Sequence, residues 1–238
     1  MAVETAAQVT APVPEPIAAP GPAVATRLTG IRRTAARRMV AAWEAPVFHL
    51  GVEVDMTNAL AARTTVAGAT VTDVLLHACA QTLREHSGVN AHYEAEVVSS
   101  FEQVHLGMAV ATDAGLMVPV IHQADRLDLG GLSRARVELT GKARARTLGV
   151  DDVTGGSFTV SNLGMMGIDH FDAILNVPQV AILAVGSTTQ RYVWNDGDPA
   201  WRPVAELTLT CDHRALDGAT GARFLAALRA RLEAPVGG

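Results

Sequence analysis

The chain has 238 residues, 49% of them apolar, with a formal net charge of −5 at pH 7. That length suits one mid-sized domain, or one domain plus a tail, with a substantial buried core. The mildly acidic balance, without a basic block, gives nucleic-acid binding no electrostatic support, and no uninterrupted apolar stretch is long enough to span a bilayer.

Residues 1–26 carry Pro12, Pro14, Pro16, Pro20 and Pro22 among alanines and valines. Such a stretch favours extended conformations and offers little to bury, so it is expected to be a flexible tail or linker preceding a domain over 27–238. Thr29 can cap a helix running through Ile31, Ala35, Met39 and Val40. Phe48, Leu50, Val52 and Val54 then alternate with polar or small residues, the pattern of a strand with one buried face. A second helix is expected near Thr57. A third is expected from Val71 to His86, with Leu75, Leu76, Cys79 and Leu83 inward and Gly88 as a stop.

Val104, Leu106, Met108 and Val110 alternate again. Asp113-Ala114-Gly115 reads as a turn, and Leu116 to Ile121 as the next strand. A polar, Arg-rich helix is expected over 128–147. Phe158–Asn162, Val180–Val185 and Leu207–Cys211 are further strands. A last helix follows Asp217-Gly218 and carries Phe224, Leu225, Leu228 and Leu232. Helices and strands mixed in this order, several of one kind in succession, indicate α+β: a mixed sheet covered by helices.

Cys79 and Cys211 form no Cys-x-x-Cys pair, which argues against a zinc or thioredoxin-like site. The N-terminus lacks the charged start and apolar run of a signal peptide, so a reducing, cytoplasmic location is expected. The sharpest chemical segment is Asp212-His213-Arg214-Ala215-Leu216-Asp217-Gly218. Here an imidazole leaves a strand end and a carboxylate follows four positions later at a helix start. Taken alone this is weak, because a lone histidine more often caps or packs. Ser161, within Phe158-Thr159-Val160-Ser161-Asn162-Leu163-Gly164, reads either as a strand-end serine bonded to backbone or as a hydroxyl aimed at a developing oxyanion.

Further segments are Ile31-Arg32-Arg33-Thr34-Ala35-Ala36-Arg37-Arg38-Met39, Gly115-Leu116-Met117-Val118-Pro119-Val120-Ile121 and Asn176-Val177-Pro178-Gln179. With these in order, Ile31 to Leu232 resembles the catalytic domain of dihydrolipoamide acyltransferases, the core component of 2-oxo-acid dehydrogenase complexes. That domain belongs to the chloramphenicol acetyltransferase-like superfamily. The resemblance implies that His213 is the general base, that Asp217 stabilises the site and helps orient it, and that Ser161 hydrogen-bonds the tetrahedral intermediate. It also implies direct acyl transfer from acetyl-CoA without metal or acyl-enzyme, and a homotrimer in which His213 of one subunit faces Ser161 of the next. Cys211, two residues before His213 on an alternating strand, is expected in the core rather than as a nucleophile.

The stretch contains no lipoyl domain, no subunit-binding domain and no lipoyl attachment site; its only lysine is Lys142. It ends Glu233-Ala234-Pro235-Val236-Gly237-Gly238, without the bulky apolar residues that join trimers in larger cores. These departures favour a stand-alone trimer similar to the tetronate acetyltransferases of spirotetronate polyketide pathways. Such an enzyme acetylates a hydroxyl of a small-molecule acceptor. The alternative is the catalytic core of a 2-oxo-acid dehydrogenase complex, acting on dihydrolipoamide.

Overall fold

A computed structural model describes residues 21, 27–28, 30–113, 115–195 and 198–235. The expected Pro/Ala tail, the Thr29 cap, Ala114 of the expected turn and the last three residues of the C-terminal segment lie outside the described residues, Gly21 apart.

The elements in chain order begin with α1 (Gly30–Trp43), β1 (Val47–Asp55), α2 (Thr57–Ala62) and α3 (Val71–Glu85). Two short strands, β2 (Ala91–Glu94) and β3 (Val97–Ser100), form a hairpin. Then come β4 (Leu106–Met108), β5 (Val110–Thr112), β6 (Gly115–Met117), β7 (Val120–Ile121) and α4 (Leu129–Ala145). The chain continues through β8 (Phe158–Asn162), β9 (Ala181–Val185), β10 (Thr189–Asn195) and β11 (Asp198–Asp212) to α5 (Gly218–Glu233).

The main sheet has seven strands, ordered β1-β11-β9-β8-β4-β7, with β10 paired to β11 beyond that path. Pairs β4/β8 and β8/β9 are parallel and the others antiparallel. β9 is buried along its whole length and divides its side chains between two clusters. Ala181, Leu183 and Val185 enter the main core, with Leu75, Cys79 and Leu83 of α3 and Phe224, Leu225 and Leu228 of α5. Ile182 and Ala184 enter a smaller cluster with Ala42, Ala45, Ala173 and Leu175 on the other face. Burying a Leu- or Phe-sized side chain contributes about 1.5–3 kcal/mol, so the α3–α5 layer supplies most of the apolar stabilisation.

Three strand expectations change. The expected strand over 104–110 divides between β4, in the main sheet, and β5, in a separate hairpin with β6. The expected strand over 116–121 breaks at Val118-Pro119, where proline has no N–H for a ladder. The strand seen in sequence as Leu207–Cys211 is the far half of the 15-residue β11. α3 ends at Glu85 with His86 as its C-cap, before Gly88; Thr70 caps its start in a capping box that Asp73 closes.

Candidate active site

β11 delivers His213. Its last residues are fully buried, with Cys211 in the main core. Burial pushes the Cys211 thiol up to about 12, which removes it as a thiolate nucleophile at neutral pH. The chain then turns: Ala215 N and Leu216 N both donate to Asp212 O, at 3.0 and 2.9 Å. His213 stands exposed on that turn. Its backbone N–H donates to Pro46 O at 2.9 Å, and its ring lies 4.7 Å from the Phe48 ring.

Asp217 caps α5, its Oδ1 accepting from Thr220 N at 2.7 Å. The hydrogen bonds from Thr220 hold its carboxyl below the usual carboxylate range, with smaller contributions from Arg223 and His213. The motif therefore fixes the helix start that immediately follows the His213 turn.

Ser161 is half-buried on β8. The next residue organises the turn after it: Asn162 Oδ1 accepts from Gly164 N at 2.9 Å, and its Nδ2 donates to Thr72 Oγ1 at 3.3 Å. The returning segment passes against Gly186, whose N–H donates to Glu206 O at 2.9 Å; Ser187 N donates to Ile168 O at 2.8 Å.

The registers separate the two residues within one chain. Ser161 pairs with Ala184 of β9, and Ala184 pairs with Thr208 of β11. From Thr208 to Asp212 is on the order of 14 Å of strand, and two strand spacings add about 10 Å sideways. His213 and Ser161 thus sit at opposite ends of the sheet and cannot meet across one reacting atom in a single subunit.

Sequence reading missed the groups around the histidine. The buried Asp212 carboxylate accepts from Arg214 Nε at 2.9 Å and from Nη2 at 2.6 Å. The Arg214 guanidinium lies 4.3 Å from the centre of the Tyr93 ring. An arginine two positions after a strand-end aspartate was the available signal, but Tyr93 comes from β2, which the pattern did not reveal.

The mixed seven-stranded sheet with its covering helices has the α+β architecture of the chloramphenicol acetyltransferase-like fold. The family model for the 2-oxoacid dehydrogenases acyltransferase (catalytic domain) matches residues 21–237, and the chain belongs to that family. The dihydrolipoyllysine-residue acetyltransferase component of the pyruvate dehydrogenase complex from Rickettsia bellii is 34% identical over 215 residues, 86% of this chain and 51% of that protein. Among solved structures, Azotobacter vinelandii dihydrolipoamide acetyltransferase has a TM-score of 0.87 at 33% identity, covering 94% of this chain and 97% of that one. In that enzyme the roles of a serine, a histidine and an asparagine in the catalytic mechanism have been investigated. The cubic core of the pyruvate dehydrogenase multienzyme complex gives 0.86 at 32% identity, with 94% and 97% covered. Chloramphenicol acetyltransferase itself, at 0.53 and 14% identity over 87% of this chain and 97% of that one, shares the fold.

These relatives overturn the expected stand-alone enzyme acting on a tetronate hydroxyl: they are components of 2-oxo-acid dehydrogenase systems, as the family is. The small-molecule hydroxyl acceptor and the place in a polyketide pathway are withdrawn with it. The expectation rested on what lies beyond the domain's two ends, and that does not determine the acceptor. The chain spans about half the length of the curated relative it matches, and residues 236–238 of the supposedly anchorless end are outside the described residues.

Proposed function

We propose that this domain transfers acyl groups between coenzyme A and dihydrolipoamide as the catalytic core of a 2-oxo-acid dehydrogenase complex. One observation carries the reading. The serine-to-histidine and histidine-to-asparagine intervals investigated in the Azotobacter enzyme equal those from Ser161 to His213 and from His213 to Asp217. Aspartate here replaces asparagine at the last position.

In this reading two subunits of a homotrimer build each site. The opposite-end placement of Ser161 and His213 supports it, since a neighbour must supply the missing half. The neutral His213 imidazole removes the proton from the attacking thiol. The resulting thiolate adds to the thioester carbonyl, and the Ser161 hydroxyl donates a hydrogen bond to the oxyanion that forms. The tetrahedral intermediate then collapses, expelling the other thiolate, which recovers the proton from the imidazolium. Acetyl-CoA serves as one acyl donor. A thioester is already activated, so positioning two substrates and moving one proton suffices.

The test incubates the full chain with acetyl-CoA and free dihydrolipoamide and detects the S-acetyl product by mass. The intact protein is expected to form it. His213→Ala should reduce the rate by about 10²–10⁴-fold. Co-expressed Ser161→Ala and His213→Ala chains should recover part of the activity, because some mixed interfaces carry both native residues. Absence of transfer by the unaltered trimer, or near-full activity in His213→Ala, would sink the reading.

A further inference from the structure

His213 is held on both sides. Asp212 and Arg214 flank it, and their side chains are tied to each other. Arg214 Nε donates to both carboxylate oxygens, at 2.9 and 3.2 Å, and Nη2 donates to Oδ2 at 2.6 Å. The Arg214 backbone N–H adds a further bond to Oδ1 at 3.0 Å. A two-pronged guanidinium–carboxylate contact fixes orientation as well as distance. Closed between residues two apart, it fixes the backbone of the residue between them.

The clasp is also anchored to the rest of the fold. The Asp212 side chain is only 3% exposed, and that of Arg214 is 35% exposed. Asp212 N donates to Val180 O at 2.9 Å. Tyr93 lies under the guanidinium, and its own N–H donates to Pro178 O at 2.8 Å. A cation over an aromatic face gains about 0.5–2 kcal/mol depending on desolvation, so the ring sets where the guanidinium rests. The β2/β3 hairpin, the segment before β9 and the end of β11 therefore meet at one brace.

We propose that Asp212 is a positioning residue for the acyl-transfer reaction. Through Arg214 seated on Tyr93, it locks the turn that presents His213 to the reacting thiol. The proposal rests on the reading of His213 as general base. A base displaced by about 1 Å from productive geometry loses on the order of 10²-fold in rate. The brace acts on the placement of the base and not on either substrate, so its loss falls on kcat.

The experiment measures kcat and the KM of both acetyl-CoA and dihydrolipoamide for Asp212→Asn, Arg214→Lys and the double variant. Melting temperature and trimer mass are recorded alongside. Asp212→Asn keeps the side-chain shape and removes the charge. Arg214→Lys leaves a cation beside the buried carboxylate but cannot bridge both oxygens, so it remains informative if Asp212→Asn folds poorly. The expected result is a fall in kcat of about 10- to 100-fold in each single variant, with both KM values within about twofold of the unaltered protein. The double variant should fall no further than the worse single one, because both remove the same brace. Unchanged kcat in a folded Arg214→Lys trimer would overturn the proposal, as would a loss confined to KM. A failure of the general-base reading shows separately, as high activity in His213→Ala.

Discussion

Gly186 follows the central strand β9 and admits no side chain. A methyl group there would overlap Asp169 O and approach the Asp169 carbonyl carbon at 2.8 Å and Glu206 O at 3.3 Å. Ordinary contacts lie at about 3.5–4.0 Å, and every obstructing atom is backbone, so no side chain can rotate away. Gly186→Ala must therefore push the segment around Asp169 outward by about 1 Å or more. Overpacking of this kind costs about 1–3 kcal/mol. Straining the adjacent Ser187 N–H to Ile168 O bond adds about 1 kcal/mol. The sum, about 2–4 kcal/mol, lowers the melting temperature of a domain this size by about 5–15 °C. The same segment leaves β8 just after Ser161, so kcat should fall as well. Differential scanning calorimetry and steady-state kinetics on the variant check both effects. A melting temperature within about 2 °C of the unaltered protein would show that the chain relaxes around the methyl group, and the close-approach argument would fail.

Ser161→Ala should lower kcat more than it raises the KM for acetyl-CoA, by a barrier of about 2.7–4 kcal/mol, because an oxyanion donor acts only near the transition state; an unchanged kcat with a raised KM would contradict the role. Asp217→Asn should keep the melting temperature, since asparagine caps a helix as well as aspartate does, whereas Asp217→Ala should lower it; equal melting of both variants would remove capping as the reason. Asp73 is fully buried against Arg136. Burial pushes its carboxyl up, but Arg136 and Thr70 more than offset this and leave it below the usual carboxylate range. Its contribution to stability is thus present above the ordinary carboxylate value and lost as pH falls through the lower folded one. Arg136→Met should destabilise the fold by about 3–5 kcal/mol at pH 7, with the difference from the unaltered protein shrinking below about pH 4 in urea titrations. A constant difference across that range would refute the pairing.

The helices and inner strands were legible because their signals are local. α3, α4 and α5 follow from apolar stripes and polar caps, and β8 and β9 from short apolar runs between turns. β2 and β3 were invisible, because their turn places Ala95 and Glu96 at positive φ, where Asn and Gly would have given the usual hairpin signal. The first half of β11 was hidden by Pro199 and Pro203, residues that argue against a strand. Neither Pro belongs to a region shared with β9, which begins at Leu207. His213 at a strand-to-helix junction and Ser161 at a strand end were weak signals alone, and only the family resemblance made them candidates. Their placement at opposite ends of the sheet was not legible, because it depends on two registers that join residues far apart in sequence.

The pairing of β1 with β11 joins Val47 to Asp212 and Asp55 to Val204. β1 lies at the edge of the sheet and, among the described residues, pairs with β11 alone. During synthesis it emerges early, and its partner β11 is the last strand to emerge. About 150 residues separate the two, on the order of ten seconds at about 5–20 residues per second. Throughout that interval the backbone donors and acceptors that β1 later gives to β11 have only water or another chain to bond to, and an unpaired strand is a template for aggregation. Sheet closure is therefore the slow, long-range step. A ribosome that stalls before β11 releases a chain whose α3 is complete but whose sheet is open at this seam.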